Sequence, residues 1–472
     1  MRENYIGGRW TASVSGASID VVNPATEEIL DRVPEGAPDD VEAAVRAARA
    51  ALPAWSRTTL AERGKILASA AELLTARADD VARTIALDVG APYPFAHRTQ
   101  TLGPVKVLES FAELAVTHPR ERRLGDCLIV KEPVGVVAAI TPWNYPLHQI
   151  VSKIGPALAA GCTVVLKPSE VAPLAAYALI EVFHDVGLPP GVLNLVSGRG
   201  PVVGEALVTH PDVDMVSFTG STAAGRRVAS LAAETVKRVA LELGGKSANL
   251  ILPSADLDVA VEAGVAHCFV NSGQTCSAWS RMIVHRDQYD EAVARAVAVA
   301  RTYTVGDPMA EGTRLGPLVS AAQRDRVVRF INRGEEEGAR LLTGGTEPPL
   351  PRGYYVEPTV FAAVEPGMTI EQEEIFGPVL SIIPFTTVDQ AVAIAEGTRY
   401  GLAGAVWAGT DEEALAVARR LRTGQVSVNG GRFNLLAPFG GHKQSGLGRE
   451  LGEHGMDEYL ELKTMNLRRA TP

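Results

Sequence analysis

An α/β fold built on an open parallel sheet is predicted by three observations on the stretch from residue 134 to residue 243. Near-continuous apolar runs, rich in β-branched and small residues, recur at 134–140, 163–166, 192–196, 213–218 and 236–243, as strands buried on both faces require. Helical patterns at 148–160, 174–186, 202–208 and 223–233 fall between them. Polar clusters broken by Gly and Pro follow four of the five runs, at the end of a parallel sheet where ligands bind. Five strands alternating with four helices in this way describe a Rossmann-like sheet of the dinucleotide-binding kind.

The flanking elements follow in order. Residues 5–6, 9–10 and 19–22 read as short strands closed by Asn23-Pro24, 39–87 carries Ala-rich amphipathic helical patterns, and a further helix is expected at 102–116. Charged residues 119–123 mark an exposed boundary, and 127–131 is strand-like, as in a projecting hairpin. A second α/β unit begins at Gly244, with helices expected at 257–270, 289–302, 321–337, 388–395 and 412–421. Its strands are expected at 282–284, 379–384, 403–407 and 425–428, and the alternating tail 456–467 can pair as one more. There is no internal repeat.

At 472 residues the chain is long enough for two or three domains, and 46% hydrophobic content fills large cores. A net charge of −10 argues against nucleic acid or an anionic membrane as partner. Four cysteines (Cys127, Cys162, Cys268, Cys276), none in a C-x-x-C pair, fit a reducing, cytoplasmic setting and exclude a cysteine-rich metal site. The first residues lack the apolar run of a signal peptide, and no apolar stretch approaches the ~18 residues that span a bilayer.

Chemistry concentrates in a few places. Cys276 stands in the small polar run Asn271-Ser272-Gly273-Gln274-Thr275-Cys276-Ser277, straight after the helix at 257–270, which suits a nucleophile. The alternative is a small core residue. The strand-end clusters are 141–146, 167–170, 219–222 and 242–246. Gly220-Ser221-Thr222 opens a helix and either receives a phosphate or caps that helix. No G-x-G-x-x-G is present. Lys167 and Glu170 either bind ribose hydroxyls or form a solvated surface pair. A carboxylate at such a site repels a 2′-phosphate, which favours NAD while leaving NADP possible.

Seven motifs occur in one order: Pro142-Trp143-Asn144-Tyr145-Pro146, Lys167-Pro168-Ser169-Glu170, Phe218-Thr219-Gly220-Ser221-Thr222, Glu242-Leu243-Gly244-Gly245-Lys246, Gly273-Gln274-Thr275-Cys276, Glu373-Glu374-Ile375-Phe376-Gly377-Pro378, and Pro438-Phe439-Gly440-Gly441 with Lys443 and Ser445-Gly446. Together they resemble the NAD(P)-dependent aldehyde dehydrogenase superfamily over essentially the whole chain. The resemblance implies Cys276 as nucleophile, Asn144 as oxyanion donor and Glu242 as the base that activates water. Alternatively Glu242 pairs with Lys246. Lys153 and Glu450 match proton-transfer positions, or else are a helix-surface lysine and a structural acid. Trp143, Lys167, Glu170, Gly220, Ser221, Gly244, Glu374 and Phe376 match the cofactor cleft, and no metal is implied.

The resemblance also implies an NAD-binding domain (1–118 and 134–244), a catalytic domain (245–444) and a small β bridging element (119–133 and 445–472) that joins a homodimer or homotetramer. By motif position, Tyr145, Gln149, Ser152, Phe433 and Phe439 line an aldehyde tunnel whose aromatic walls favour an apolar or aromatic substrate. Trp279 either narrows that tunnel or packs, and Arg432 either meets an acidic aldehyde or lies exposed. The leading expectation is oxidation of an aldehyde to the carboxylic acid. Its alternatives are CoA-acylating oxidation, against which Glu242 weighs, and a catalytically silent NAD-binding protein, against which intact Cys276, Glu242 and Asn144 weigh.

Overall fold

The computed structural model describes residues 1–468; the last four residues of the expected bridging element lie outside them. Its largest sheet has eight strands in the order Arg9–Thr11, Asn4–Ile6, Leu193–Leu195, Thr163–Lys167, Val136–Ile140, Met215–Thr219, Arg238–Glu242 and Gly446–Leu447. The five strands between Leu193–Leu195 and Arg238–Glu242 run parallel. Alternate side chains of one strand enter two different cores. Val137 and Ala139 pack with residues of the helices Leu102–Thr117 and Pro146–Ala160, whereas Val136, Ala138 and Ile140 pack with Pro38–Trp55 and Thr222–Ala233. Both faces are therefore covered, which is why these strands read as unbroken apolar runs.

The second sheet has seven strands: Arg340–Thr343, Thr359–Ala362, Val379–Phe385, Arg281–His285, Ala248–Ile251, Gly404–Trp407 and Ser427–Val428. All pairs are parallel except the first. A third, antiparallel sheet joins Leu460–Asn466 to Cys127–Pro133 and then to Glu121–Leu124. Among the described residues no helix is long and apolar enough to cross a membrane.

Several elements differ from expectation. Glu121–Leu124, read as an exposed boundary, is the outer strand of the small sheet, its charges facing solvent. Ile29–Pro34, Ala248–Ile251, Arg340–Thr343 and Thr359–Ala362 are additional strands. Each is six residues or fewer, and the pairing partner decides what a short segment's own pattern leaves open. The helix expected at 202–208 is a π-turn, Gly200–Gly204, continued by Glu205–Thr209. The last strand of the parallel set starts at Arg238, because Val236 adopts φ 54° in the preceding turn. Gly446–Leu447 adds an antiparallel edge to the first sheet beside Arg238–Glu242, so a segment expected in the bridging element joins that sheet instead.

Candidate active site

Register places the strand ends side by side. Ile140 lies opposite both Lys167 and Phe218, and Thr219 lies opposite Glu242. The loops that leave these ends open on a cleft of about 280 Å³, whose lining includes Trp143, Asn144, Gly220, Ser221, Gly244 and Cys276. Glu374 and Phe376 close it from the second unit.

The nucleophile candidate arrives on a constrained turn. The helix Leu257–Phe269 is anchored by Leu257, Ala260, Val261, Gly264, Val265, Cys268 and Phe269, one face of a 3.6-residue period. Asn271, Ser272 and Gly273 then take φ of 53°, 56° and 73°. A Cβ on Gly273 would stand 2.1 Å from the carbonyl carbon and oxygen of Gly377, so only glycine fits. Cys276 is half-buried and unpaired. Burial, with Glu374 and Glu242 adding their charges, pushes its thiol well above the ordinary range. Forming the thiolate therefore calls for a proton acceptor close by.

Asn144 is buried beside it. Its Nδ2 donates to the Gln274 carbonyl at 3.0 Å, which leaves the second amide hydrogen for a ligand. Tyr145 pairs its hydroxyl with Thr275 Oγ1 at 2.7 Å.

Glu242 is buried, and neither of its oxygens has a hydrogen-bond partner among the described residues. Lys246 Nζ is also without one, so the alternative Glu242–Lys246 pair does not form. Burial first and Glu450 second hold the Glu242 carboxyl well above the usual carboxylate range. Lys153 is wholly buried rather than on a helix surface; it donates to Thr219 Oγ1 at 2.6 Å and contacts Glu450. Since Thr219 sits opposite Glu242, these groups form one buried polar cluster beneath the cleft.

The cofactor candidates divide. Glu374 Oε1 accepts from the Gly245 N–H at 3.1 Å, and burial pushes this carboxyl up to about 7. Phe376 and Trp143 meet edge-to-face at 5.3 Å. Ser221 lines the cleft and also caps the helix Thr222–Ala233 by accepting from Ala224 N–H at 3.2 Å. Lys167 is buried and donates to Glu170 at 2.9 Å, so this is no solvated surface pair. Burial lowers the Lys167 amine's pKa; the same lysine lowers that of Glu170 against the upward push of burial. A Cβ on Gly244 would lie 2.2 Å from Glu374 Oε2, so the bare backbone makes room at that carboxylate. An aromatic pair, a carboxylate and a helix N-terminus around one cleft fit a dinucleotide.

Two lining residues escaped the sequence. Gln323 Nε2 donates to the Phe376 carbonyl at 2.7 Å, and Arg326 donates to the Glu374 carbonyl at 2.7 Å. Their one sequence signal is the three-residue spacing that puts both on the same face of the helix Ala321–Glu336.

Of the tunnel candidates, Gln149 lines the cleft with Asn144 and Cys276. Ser152 is wholly buried and its hydroxyl has no partner among the described residues. Phe433 is 50% exposed and meets Phe439 edge-on at 5.9 Å. Arg432 is exposed. Trp279 does not narrow the cleft: it is buried in the second unit's core, its ring stacked on His267 at 3.7 Å, so of the two readings the structure takes packing.

A profile of the aldehyde dehydrogenase family matches residues 10–465. A 3-succinoylsemialdehyde-pyridine dehydrogenase from Pseudomonas sp is 47% identical over 98% of both chains. The chloroplastic betaine aldehyde dehydrogenase of Beta vulgaris is 42% identical over 98% of this chain and 95% of its own. Among solved structures, a cysteine-to-alanine mutant of aldehyde dehydrogenase C from Pseudomonas syringae, complexed with NAD+ and octanal, superposes with a TM-score of 0.99. It is 48% identical, over all of this chain and 98% of that one. An NAD+ complex from Bacillus cereus gives 0.96 at 40% identity, over 98% and 96%.

Proposed function

The chain belongs to the aldehyde dehydrogenase family and oxidises aldehydes with NAD, and from that premise we propose how its own residues divide the work. Cys276 adds to the aldehyde carbon as its thiolate, forming a C–S bond while the carbonyl π pair moves to oxygen. The Asn144 amide and the Cys276 N–H donate to that oxyanion. The bound nicotinamide supplies the acceptor for the hydride leaving this carbon. Re-formation of C=O leaves a thioester on Cys276. Glu242 then takes a proton from water, the water oxygen attacks the thioester, and the C–S bond breaks to release the acid and return the thiolate. The balance is aldehyde, NAD+ and water to carboxylic acid, NADH and a proton.

The observation that carries this reading is one cleft lined by Cys276, Asn144, Glu374 and Phe376. Beneath it, Glu242 is buried with its oxygens unpaired. We assign Glu374, Phe376, Trp143, Gly244, Gly220 and Ser221 to the cofactor, with Lys167 and Glu170 at its ribose. Lys153 and Glu450 support proton transfer. Glu242→Gln should keep the burst of NADH and stall turnover; unchanged steady-state turnover would falsify its role. Acyl-CoA on addition of CoA would favour the transfer reaction over hydrolysis.

The aromatic ring pair of Phe433 and Phe439, with Tyr145 and Gln149, supports an apolar or aromatic aldehyde carrying one hydrogen-bonding group. The relatives' substrates point the same way: one is named for a pyridine semialdehyde and another structure holds octanal. The divisions 1–118 with 134–244, 245–444, and 119–133 with 445–472 are our domain assignment. Exposed Leu124, Leu462 and Met465 on the small sheet support a homodimer or homotetramer joined there, and light scattering tests it. A cytoplasmic location accords with four free cysteines.

A further inference from the structure

Three consecutive residues ahead of Cys276 hold positive φ, a conformation that residues with a Cβ resist. Such a run persists only where its surroundings over-determine it. Ser272 Oγ donates to the Gly316 carbonyl at 2.8 Å, and the side chain of Asn271 is a second restraint that reaches the oxyanion donor. Its Nδ2 donates to the Asn144 carbonyl at 2.9 Å and toward the Gln274 carbonyl at 3.3 Å. The Gln274 carbonyl in turn accepts from Asn144 Nδ2 at 3.0 Å, so the three residues close a ring around the Asn144 side chain.

What orients Asn271 comes from far along the chain. Gln100 Nε2 donates to Asn271 Oδ1 at 3.0 Å across a separation of 171 positions. Two carbonyls on one side and an N–H on the other leave the Asn271 amide a single satisfying orientation. Gln100 sits in the π-helical turn Ala96–Thr101, is wholly buried, and its Oε1 has no partner among the described residues. π-Turns recur at functional sites, and a half-satisfied buried amide is costly to keep.

We propose that Gln100 and Asn271 are positioning residues of the oxyanion hole: Gln100 sets the Asn271 amide, which fixes the Asn144 peptide and the Gln274 carbonyl that aims the Asn144 side chain. This rests on the reading of Asn144 as the oxyanion donor. Steps that create an oxyanion at Cys276 depend on the pair; a displacement at Sγ that creates none does not.

The test uses full-length enzyme without cofactor. Cys276 is acylated by p-nitrophenyl acetate, in which an S–C bond forms and p-nitrophenolate leaves, and is separately alkylated by iodoacetamide. Gln100→Met removes the donor at similar volume. Asn271→Gly removes the amide while still accepting positive φ, so it carries the test if the first variant fails to fold. Each should slow acylation about tenfold or more, a fraction of what one oxyanion donor contributes, with alkylation within about twofold. In an Asn144→Ala background Gln100→Met should add less than about twofold, because its effect passes through Asn144. Unchanged acylation, a parallel loss of alkylation, or a full additive loss in that background each overturns the inference. A parent enzyme that is not acylated at Cys276 overturns the nucleophile assignment and this inference together; a normal parent with indifferent variants overturns this inference alone.

Discussion

Alanine in place of Gly245 drives a methyl group into the backbone of Cys276, the proposed nucleophile. Its Cβ would stand 2.4 Å from the Cys276 carbonyl oxygen, with Leu402 Cβ at 3.2 Å behind it. That is about 1 Å inside ordinary contact, and neither neighbour is the free end of a flexible side chain. Cys276 has to move by about that distance, and misplacement of a reacting group by ~1 Å costs about 10²-fold in rate, or roughly 2.7 kcal/mol in barrier. Gly244→Ala makes an instructive contrast. Its Cβ meets Glu374 Oε2 at 2.2 Å, the tip of a side chain that can swing away at the loss of its bond to the Gly245 N–H. Stopped-flow measurement of the NADH burst, with NAD titrated and melting curves as a check on folding, separates the two. Gly245→Ala should slow the burst about 100-fold with KM for NAD nearly unchanged, whereas Gly244→Ala should raise KM for NAD about tenfold with the saturated burst nearly intact. A folded Gly245→Ala enzyme with a burst rate within about threefold of the parent would refute the argument that this contact places Sγ.

Glu450→Gln removes a charge that raises the Glu242 carboxyl and leaves Lys153 to lower it, so the acid limb of the kcat–pH profile should move to lower pH; movement upward would count against the coupling. Asp88 is wholly buried and its carboxyl is pushed up to about 8, from a usual value of 3.8. The native state then holds a proton that the unfolded chain releases, so stability falls as pH rises from about 4 to about 8. Denaturant titrations at pH 5 and pH 8 should show Asp88→Asn flattening that fall, and an unaltered slope would contradict it. Val236 is 90% exposed at φ 54°, so Val236→Gly should raise stability by about 0.5–1 kcal/mol, measured as a shift in the denaturation midpoint.

The first sheet was legible because its strands are buried on both faces and announce themselves as apolar runs. Ala248–Ile251 and Thr359–Ala362 are equally buried, yet each is four residues long and hemmed by Lys246-Ser247 or Glu357-Pro358, so composition hides them. Cys276, Asn144 and Glu242 stood out because their motifs lie at strand or helix ends. Gln323 and Arg326 did not: the helix that carries them is largely polar, and only the loops of the first sheet across the cleft give that face a partner. Lys153 was left open between a proton-transfer position and a surface lysine, since no local pattern says that the helix Pro146–Ala160 is buried nearly all round. Trp279 was visible as a large residue three positions after Cys276. Where its ring points depends on His267, one turn from the end of the preceding helix.

The edge strand Gly446–Leu447 has a bearing on synthesis. It covers Arg238–Glu242, and soon after it comes Glu450, the carboxylate that contacts buried Lys153. Tyr459 then bonds Ser217 at 3.0 Å, and Leu460–Asn466 pairs with Cys127–Pro133. On a ribosome adding about 5–20 residues per second, the interval between residues 242 and 446 lasts roughly 10–40 s. Throughout it the nascent first sheet has a bare edge and an uncompensated lysine, a template for pairing with a neighbouring polysome-borne copy. Expression at lowered temperature or with a holdase should raise the soluble yield, because the strand that seals the first sheet is laid down long after the rest of that sheet.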